Sequence, residues 1–217
     1  YSQKKASTAQ NSGRFKQEIM AIEISQNKST PIYFKTDEFI KPNTSLEILK
    51  SLRTVFKKNG TVTAGNSSGI NDGAAVMIIA SERGLKNHGL KPMARIVSSA
   101  VVGVEPSIMG IGPVKAANRA LKKAGLTMND MNIIELNEAF AAQSLACIRE
   151  MDISDDDPRI NPNGGSIALG HPLGMSGTRI IQTAAIELKI QSKKYALVTM
   201  CVGVGQGYAV IIENIEA

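Results

Sequence analysis

Residues 161–177 read NPNGGSIALGHPLGMSG. Five glycines, two prolines and two asparagines in this stretch indicate backbone that bends tightly and passes close to other groups. His171, one of two histidines in the chain, is the side chain of this stretch that can take up or release a proton near neutral pH. The stretch therefore has two interpretations, a glycine-rich structural turn around a hydrogen-bonded histidine or part of a functional site.

A helix is predicted directly after this stretch, because Ile180, Ile181, Ala184 and Leu188 fall on one helical face. An imidazole near the N-terminus of a helix feels the positive end of the helix dipole, which favours its neutral form. His171 is thus a candidate base or neutral hydrogen-bond donor.

The composition is that of a folded chain without membrane or nucleic-acid features. With 217 residues, 43% of them hydrophobic, there is length for one large domain or two small ones around a core. The longest apolar run, 74–80, is too short to cross a bilayer, so no membrane contact is predicted. The net charge of +6 comes from scattered lysines without tryptophan or a nucleic-acid motif. We expect an anionic small molecule as partner and no nucleic acid.

Three further features bear on compartment, metal content and the chain ends. Cys147 and Cys201 stand far apart, which disfavours a disulfide framework and predicts a reducing, cytoplasmic setting. The acidic loop 152–157 lacks ordered ligand spacing, so it is interpreted as a solvated turn and no metal site is predicted. The chain begins at Tyr1 with a polar segment and no initiator methionine, so we expect a missing upstream portion.

Hydrophobic patterning predicts an α/β chain. Residues 1–40 show a strand-like pattern too short for its own core, which we expect to pack on another part of the protein. Helices are predicted over 45–58, 81–89, 113–125 and 138–150, besides the one after residue 177, and strands over 74–80, 94–104, 131–136, 195–200 and 208–212.

Three polar side chains follow predicted strands or precede predicted helices. Asn137 follows one strand, Cys201 follows another, and His171 precedes the last helix. Loops at the carboxyl ends of strands gather into one crevice in α/β sheets, so we expect the three to share a site.

The glycines after Cys201 have two interpretations. A dinucleotide-binding loop is disfavoured, because the third glycine of residues 203–207 comes one residue early and no room remains for a βαβ unit. The other interpretation is a thiol beside backbone N–H groups exposed by glycines, which suits proton transfer next to an oxyanion hole.

Five blocks of the sequence resemble those of the thiolases, in order and spacing, from about Asp37 onward. Three resemble the C-terminal signature blocks: NEAF at 137–140, GGSIALGHP at 164–172 followed by Gly174 and SG at 176–177, and CxGxGxG from Cys201. Two more are NSSGINDG at 66–73 and MGIGP at 109–113. Within the family the resemblance is greatest to acetyl-CoA acetyltransferases, which are acetoacetyl-CoA thiolases.

The resemblance implies a thiolase fold, of which this chain would form the C-terminal α/β half with a mixed sheet plus part of the loop domain. Residues 1–70 would end the loop domain that covers coenzyme A. Residues 71–91 would supply a strand and a helix to the N-terminal domain, and residues 92–217 would form the C-terminal domain. The intact protein would be a homodimer or homotetramer.

The implied reaction is the reversible Claisen condensation of two acetyl-CoA to acetoacetyl-CoA and free CoA, with the CoA thioester as substrate and no cofactor. His171 would help to generate a thiolate on a nucleophilic cysteine and then donate to the thioester oxygen, with Asn137 holding a water in the same oxyanion hole. Cys201 would remove the α-proton, and the Gly203 N–H would support a second oxyanion hole. A cysteine titrates near about 8.5, so a modest pKa shift would make Cys201 a usable base.

The resemblance also implies substrate contacts. Ser68, Ala64 and Phe56 would contact the pantetheine arm, and Lys41 the CoA phosphates. Met109 and Phe140 would line the acyl pocket. Core packing is the alternative interpretation for Phe56, Met109 and Phe140, and a surface loop is the alternative for Ser68.

Two departures limit the resemblance. Val204 replaces the middle of three glycines that the family shows after the acid/base cysteine and one spacer. The chain also has no nucleophile block, since Cys147 falls in a predicted helix as a buried small hydrophobe. We therefore expect this chain alone to be inactive. A non-catalytic CoA- or lipid-binding module, or another condensing enzyme of the same fold such as a ketoacyl synthase, are the alternatives.

Overall fold

A computed structural model describes residues 1–26 and 29–217 of the chain. Its strands are β1 (Ile22–Gln26), β2 (Ser29–Phe34), β3 (Arg95–Gly103), β4 (Ile133–Leu136), β5 (Tyr195–Val202) and β6 (Gln206–Glu213). Its α-helices are α1 (Ser2–Asn11), α2 (Leu46–Ser51), α3 (Glu82–His88), α4 (Gly112–Ala124), α5 (Ala141–Glu150), α6 (Ser166–Leu169) and α7 (Ser176–Ile190). Short 3₁₀ turns cover Arg14–Gln17, Pro106–Ile111 and Met128–Asp130.

The sheet that carries the core has four strands in the order β3-β6-β5-β4. β4 and β5 run parallel, whereas β5–β6 and β6–β3 are antiparallel, so the predicted mixed sheet is confirmed. The predicted strands at 94–104, 131–136, 195–200 and 208–212 all lie in it, within a few residues of their expected ends.

Helices cover both faces of this sheet. Ile133 and Ile134 are neighbours on β4, yet they belong to different apolar clusters because successive strand residues point to opposite faces. Ile134 packs in the cluster of α4 and α5, and Ile133 packs in the cluster of α7. Within residues 1–26 and 29–217 the sheet thus lies between α4 and α5 on one face and α7 on the other.

The sequence signals for α4 and α7 are confirmed. Pro113 lies in the first turn of α4, and Gly125 ends that helix with a left-handed φ of 67°. In α7, Ile180, Ala184 and Leu188 are buried on the face that meets the sheet, and Ile181 is partly buried.

Helix α1 was not predicted, because its sequence is polar and only Ala6 and Ala9 are buried. It packs instead on the glycine-rich stretch. The Lys5 amino group donates to the Ile160 carbonyl at 2.6 Å, and a Cβ on Gly164 would lie 2.7 Å from that of Ala6. The expectation that residues 1–40 pack on another part of the protein is confirmed for α1.

The predicted strand at 74–80 is wrong. These residues have no regular secondary structure, and Val76 and Ile78 are more than 80% exposed. A strand needs a neighbouring strand to satisfy its backbone groups. Neither sheet of the described residues includes this segment. The helix expected beside it in 71–91 is present as α3.

The helix predicted over 45–58 is shorter than expected. Ser45 caps it by accepting the Ile48 N–H, as the sequence indicates. The helix ends at Ser51 because Leu52 takes extended backbone angles, after which the Val55 N–H donates to the Val62 carbonyl at 3.0 Å. Residues 54–63 thus form a turn rather than helix.

No helix in the described ranges is both long enough and apolar enough to cross a membrane.

Candidate active site

Asn137 and His171 meet where β4 ends. The Asn137 backbone N–H donates to the Thr199 carbonyl at 3.0 Å, which continues the pairing with β5 by one residue. Its side-chain Nδ2 lies 3.3 Å from Nε2 of His171. The amide is buried, and the imidazole is half-buried. Two of the three side chains expected in one site are therefore in direct contact.

A left-handed glycine and two hydrogen bonds set the position of His171. The short helix α6 ends at Gly170, which has a φ of 82°, a left-handed conformation that glycine adopts without strain. The His171 backbone N–H then donates to the Gly69 carbonyl at 3.0 Å. On the ring, Nδ1 lies 2.6 Å from Oγ of Ser176, the first residue of α7.

The pKa of His171 is lowered, so the predicted preference for the neutral ring is confirmed, although for a different reason. Burial contributes most, since it penalises the charged imidazolium, and the positive charge of Arg179 on α7 adds to it. The neutral ring can accept a proton at one nitrogen while it donates from the other.

The loop 66–73 joins the surroundings of Asn137 and His171. The Ser68 N–H donates to the Ala139 carbonyl at 3.0 Å, and the next residue, Gly69, accepts from the His171 N–H. Ser67 and Phe140 also form an isolated antiparallel bridge. This segment therefore lies against the site and is not a detached surface loop.

Cys201 lies near the carboxyl end of β5, the strand next to β4. The parallel pairing of β4 and β5 places Asn137 and Cys201 at the same edge of the sheet. Cys201 is buried, and no hydrogen bond joins its Sγ to the His171 ring or the Asn137 amide within residues 1–26 and 29–217. That Cys201 shares their site stays a prediction.

The pKa of Cys201 shifts away from neutrality. Burial raises it, and a backbone hydrogen bond opposes that increase. Burial thus favours the neutral thiol over the thiolate, which is the opposite of the shift that would make Cys201 a better base.

The loop after Cys201 keeps a glycine-like backbone although it carries valine. Val204 has a φ of 66° and Gly205 one of 90°. Left-handed angles are strained for a β-branched residue. Gly205 cannot be replaced in the same way, since a Cβ there would lie 2.4 Å from the Val104 carbonyl oxygen. Gly203 is exposed at the start of this turn.

Phe56 and Phe140 form an edge-to-face pair with ring centroids 6.0 Å apart at 81°. Phe56 is 73% exposed, which argues against core packing as its role, and Phe140 is partly buried. Ala64 and Lys41 are exposed as well. The Lys41 ammonium lies 4.8 Å from the Phe39 ring, and that ring lies against Gly69 of the loop 66–73, where an added Cβ would be 2.4 Å from Phe39 Cζ.

Met109 lies partly buried in the 3₁₀ turn before α4. The carbonyl of the next residue, Gly110, accepts a hydrogen bond from the Cys147 thiol at 3.1 Å. Cys147 is fully buried, and burial raises the pKa of its thiol to about 11. This agrees with its interpretation as a buried small hydrophobe.

Two serines of the site were not singled out from the sequence. Ser166 donates to Oδ1 of Asn137 at 2.5 Å, and Ser176 contacts the His171 ring. Both belong to the glycine-rich stretch, but nothing in the pattern indicates which side chains they contact. Among the described residues, no group of three or more histidine, cysteine or acidic side chains is placed to hold a metal ion.

Comparisons with known proteins identify the family and the fold. The thiolase C-terminal domain matches residues 90–214, and the thiolase N-terminal domain matches residues 1–83. The chain belongs to the thiolase family. Its α/β fold with a mixed sheet is that of solved thiolases: human mitochondrial 3-ketoacyl-CoA thiolase superposes with a TM-score of 0.93 at 50% identity, over 99% of this chain and 53% of the human one.

Relatives within the thiolase family carry different substrate names. The 3-oxoadipyl-CoA/3-oxo-5,6-dehydrosuberyl-CoA thiolase of Escherichia coli is 52% identical over 99% of this chain and 53% of its own length. An acetyl-CoA acetyltransferase of Thiocystis violacea is 48% identical over 99% of this chain and 54% of its own. The chain thus spans about half the length of these thiolases, and the similarity identifies the family but not the acetoacetyl-CoA type.

Proposed function

We propose that this chain is the C-terminal part of a thiolase that catalyses the reversible Claisen condensation of two acetyl-CoA to acetoacetyl-CoA and free CoA. The contact between Asn137 and His171, with the loop 66–73 bonded to both of their segments, is the observation that carries the proposal. It provides an amide donor and a neutral imidazole at one sheet edge, next to the strand that bears Cys201.

The first half-reaction needs a nucleophilic cysteine, which we place in an upstream segment of the polypeptide. Its thiol gives a proton to His171, and the thiolate attacks the acetyl-CoA carbonyl carbon. The C–S bond to coenzyme A breaks, and the leaving thiolate takes up a proton. His171 and a water held by Asn137 stabilise the oxygen that becomes negative.

In the second half-reaction Cys201 accepts the α-proton of a second acetyl-CoA. Burial raises the pKa of Cys201, which opposes formation of the thiolate that takes this proton. The resulting enolate carbon attacks the acetyl-enzyme thioester, a C–C bond forms, and the upstream thiolate leaves. The Gly203 N–H supports the enolate oxygen.

Further assignments belong to this proposal. Ser68, Ala64 and Phe56 contact pantetheine, Lys41 meets the CoA phosphates, and Met109 and Phe140 line the acyl pocket. Residues 1–70 end the loop domain, 71–91 complete the N-terminal domain, and 92–217 form the C-terminal domain. The whole protein is a cytoplasmic homodimer or homotetramer that uses no cofactor.

Intact mass spectrometry of the complete protein tests the proposal. Incubation with acetyl-CoA is expected to give one acetyl adduct on an upstream cysteine, and addition of acetoacetyl-CoA with CoA is expected to yield acetyl-CoA. Absence of both would favour a non-catalytic CoA-binding module. Parallel assays with 3-oxoadipyl-CoA distinguish the acetoacetyl-CoA type from a thiolase for longer dicarboxylic substrates.

A further inference from the structure

Five hydrogen bonds form a continuous chain through the site. The Glu138 backbone N–H donates to Ser166 Oγ at 3.1 Å, and the Ser166 hydroxyl donates to Asn137 Oδ1 at 2.5 Å. Asn137 Nδ2 lies 3.3 Å from His171 Nε2. His171 Nδ1 lies 2.6 Å from Ser176 Oγ, whose hydroxyl lies 3.0 Å from the Pro172 carbonyl.

The first of these hydrogen bonds, from the Glu138 N–H, determines which group donates in the bonds that follow. A backbone N–H can only donate, so Ser166 Oγ accepts there and its single proton needs another acceptor. Asn137 Oδ1 is that acceptor, since Ser166 is fully buried and a buried hydroxyl without a partner is costly. The Asn137 NH₂ group therefore faces His171, and Nε2 must present its lone pair.

The opposite orientation of the Asn137 amide fails at Ser166. With the amide reversed, Nδ2 and the Glu138 N–H would both donate to Ser166 Oγ. The hydroxyl proton would then lose its acceptor at Asn137. The hydroxyl of Ser176 donates to the Pro172 carbonyl at 3.0 Å, so its oxygen is left to accept from the ring. With Nε2 unprotonated, the neutral ring carries its proton on Nδ1 and donates to Ser176 Oγ.

We propose that Ser166 and Ser176 are positioning residues that hold neutral His171 as the Nδ1–H tautomer, with Nε2 as the proton acceptor that faces the reacting groups. The catalytic role of this tautomer rests on the proposed function. The assignment of the tautomer does not, because it follows from the hydrogen bonds alone. The Asn137 bond to Nε2 is long for a hydrogen bond, so an incoming thiol can replace it.

This tautomer suits a ring that must first take and then return a proton at Nε2. Once Nε2 is protonated, both nitrogens donate, and Nδ1–H keeps its bond to Ser176. The new Nε2–H then already points towards the oxyanion, so the ring does not need to rotate. Arg179, the charged side chain that affects the ring, opposes a permanent positive charge there, which agrees with a neutral resting state.

Nitrogen and carbon NMR of histidine-labelled complete protein tests the tautomer directly, because ring ¹⁵N and ¹³Cδ2 shifts differ between the Nδ1–H and Nε2–H forms. The His171 signals are assigned by their loss in His171→Gln. Above the pKa of the ring, the wild type is expected to show the Nδ1–H form. A dominant Nε2–H form would overturn the proposal without reference to activity.

Variants then test the two serines. Ser166→Ala and Ser176→Ala are expected to give mixed tautomers and to slow acylation of the nucleophile about tenfold or more, with KM little changed. Ser176→Thr, which keeps a hydroxyl, should restore much of the rate. Ser98→Ala is the matched control, since Ser98 Oγ also donates to a backbone carbonyl, that of Ala120, remote from the site.

The proposal would also be overturned if both alanine variants showed the same tautomer and the same acylation rate as the wild type. If the complete protein has no thiolase activity while the Nδ1–H tautomer depends on the serines, the proposed function fails and the positioning role stands.

Discussion

The Asn137 side-chain nitrogen lies 3.3 Å from Nε2 of His171, although 34 residues separate the two in the chain. Asn137 directly follows β4, and His171 lies in the glycine-rich stretch between α6 and α7. Backbone bonds from the loop 66–73 tie both segments together. Residues of this chain therefore suffice to hold the amide and the imidazole in contact.

Replacing Cys201 separates the two half-reactions. Cys201→Ala in the complete protein is expected to leave acetylation of the upstream cysteine intact and to stop condensation, because the α-proton acceptor is gone. Intact mass and acetoacetyl-CoA formation are the measurements. Cys147→Ala is the control, since Cys147 is a buried thiol outside the proposed chemistry. Normal condensation by Cys201→Ala would remove its assigned role.

Replacing Arg179 changes the pH dependence of acylation. Its positive charge is one cause of the lowered pKa of His171, so Arg179→Met is expected to raise that pKa. The ring then protonates at higher pH, and the acid limb of the acylation rate moves to higher pH. Arg179→Lys keeps the charge and should shift the limb less. An unchanged limb in Arg179→Met, in a variant that folds, would contradict this account.

Glu135 is expected to make the free energy of unfolding decrease as the pH rises from about 4.5 to about 8. It is fully buried on β4, and burial raises its pKa from 4.5 to about 8, against the opposing charge of Arg179. Between those values the unfolded chain loses the proton while the folded protein keeps it. The carboxyl therefore stabilises the fold below its unfolded pKa, and this contribution is lost as pH rises towards about 8.

Glu135→Gln tests this linkage by denaturant unfolding between pH 5 and about pH 8. The wild type is expected to lose roughly a few kcal/mol of unfolding free energy over that interval, since one pKa unit corresponds to about 1.4 kcal/mol. The variant should lose much less. Glu105→Gln, at an exposed carboxyl, serves as the control. Parallel pH profiles for wild type and Glu135→Gln would show that the buried carboxyl is not the cause.

Val204→Gly is expected to stabilise the protein by about 1 kcal/mol, because glycine removes the strain of a left-handed valine. Val204 is largely exposed, so little buried area is lost. Thermal unfolding measures the gain. Val202→Ala at the end of β5 is a control for side-chain loss without a left-handed backbone. A lower melting temperature for Val204→Gly would contradict the strain argument.

The central sheet and its two long helices could be predicted from sequence because their burial repeats locally. Strands at β3 to β6 show apolar runs bounded by turns, and α4 and α7 show an apolar stripe with proline or glycine at their ends. The strand predicted over 74–80 failed because its apolar run resembles a buried strand, while pairing depends on a neighbour that the described residues lack.

The composition of the site was also predictable, but not its hydrogen bonding. The motif blocks identified Asn137, His171 and the loop 66–73 as candidates. They gave no indication that Ser166 orients the Asn137 amide, or that Ser176 contacts the ring. They also did not indicate that burial would raise rather than lower the pKa of Cys201.

The sequence by itself determined the layered α/β architecture, the thiolase family and the residue types at the sheet edge, since these depend on periodicity and on motifs of adjacent residues. Only the tertiary structure decided that a polar N-terminal segment becomes α1, where Ala6 meets Gly164, and which way each amide and hydroxyl points. The physical reason is that a helix without its own apolar stripe, and a hydrogen bond between distant residues, are stabilised by partners that no local pattern names.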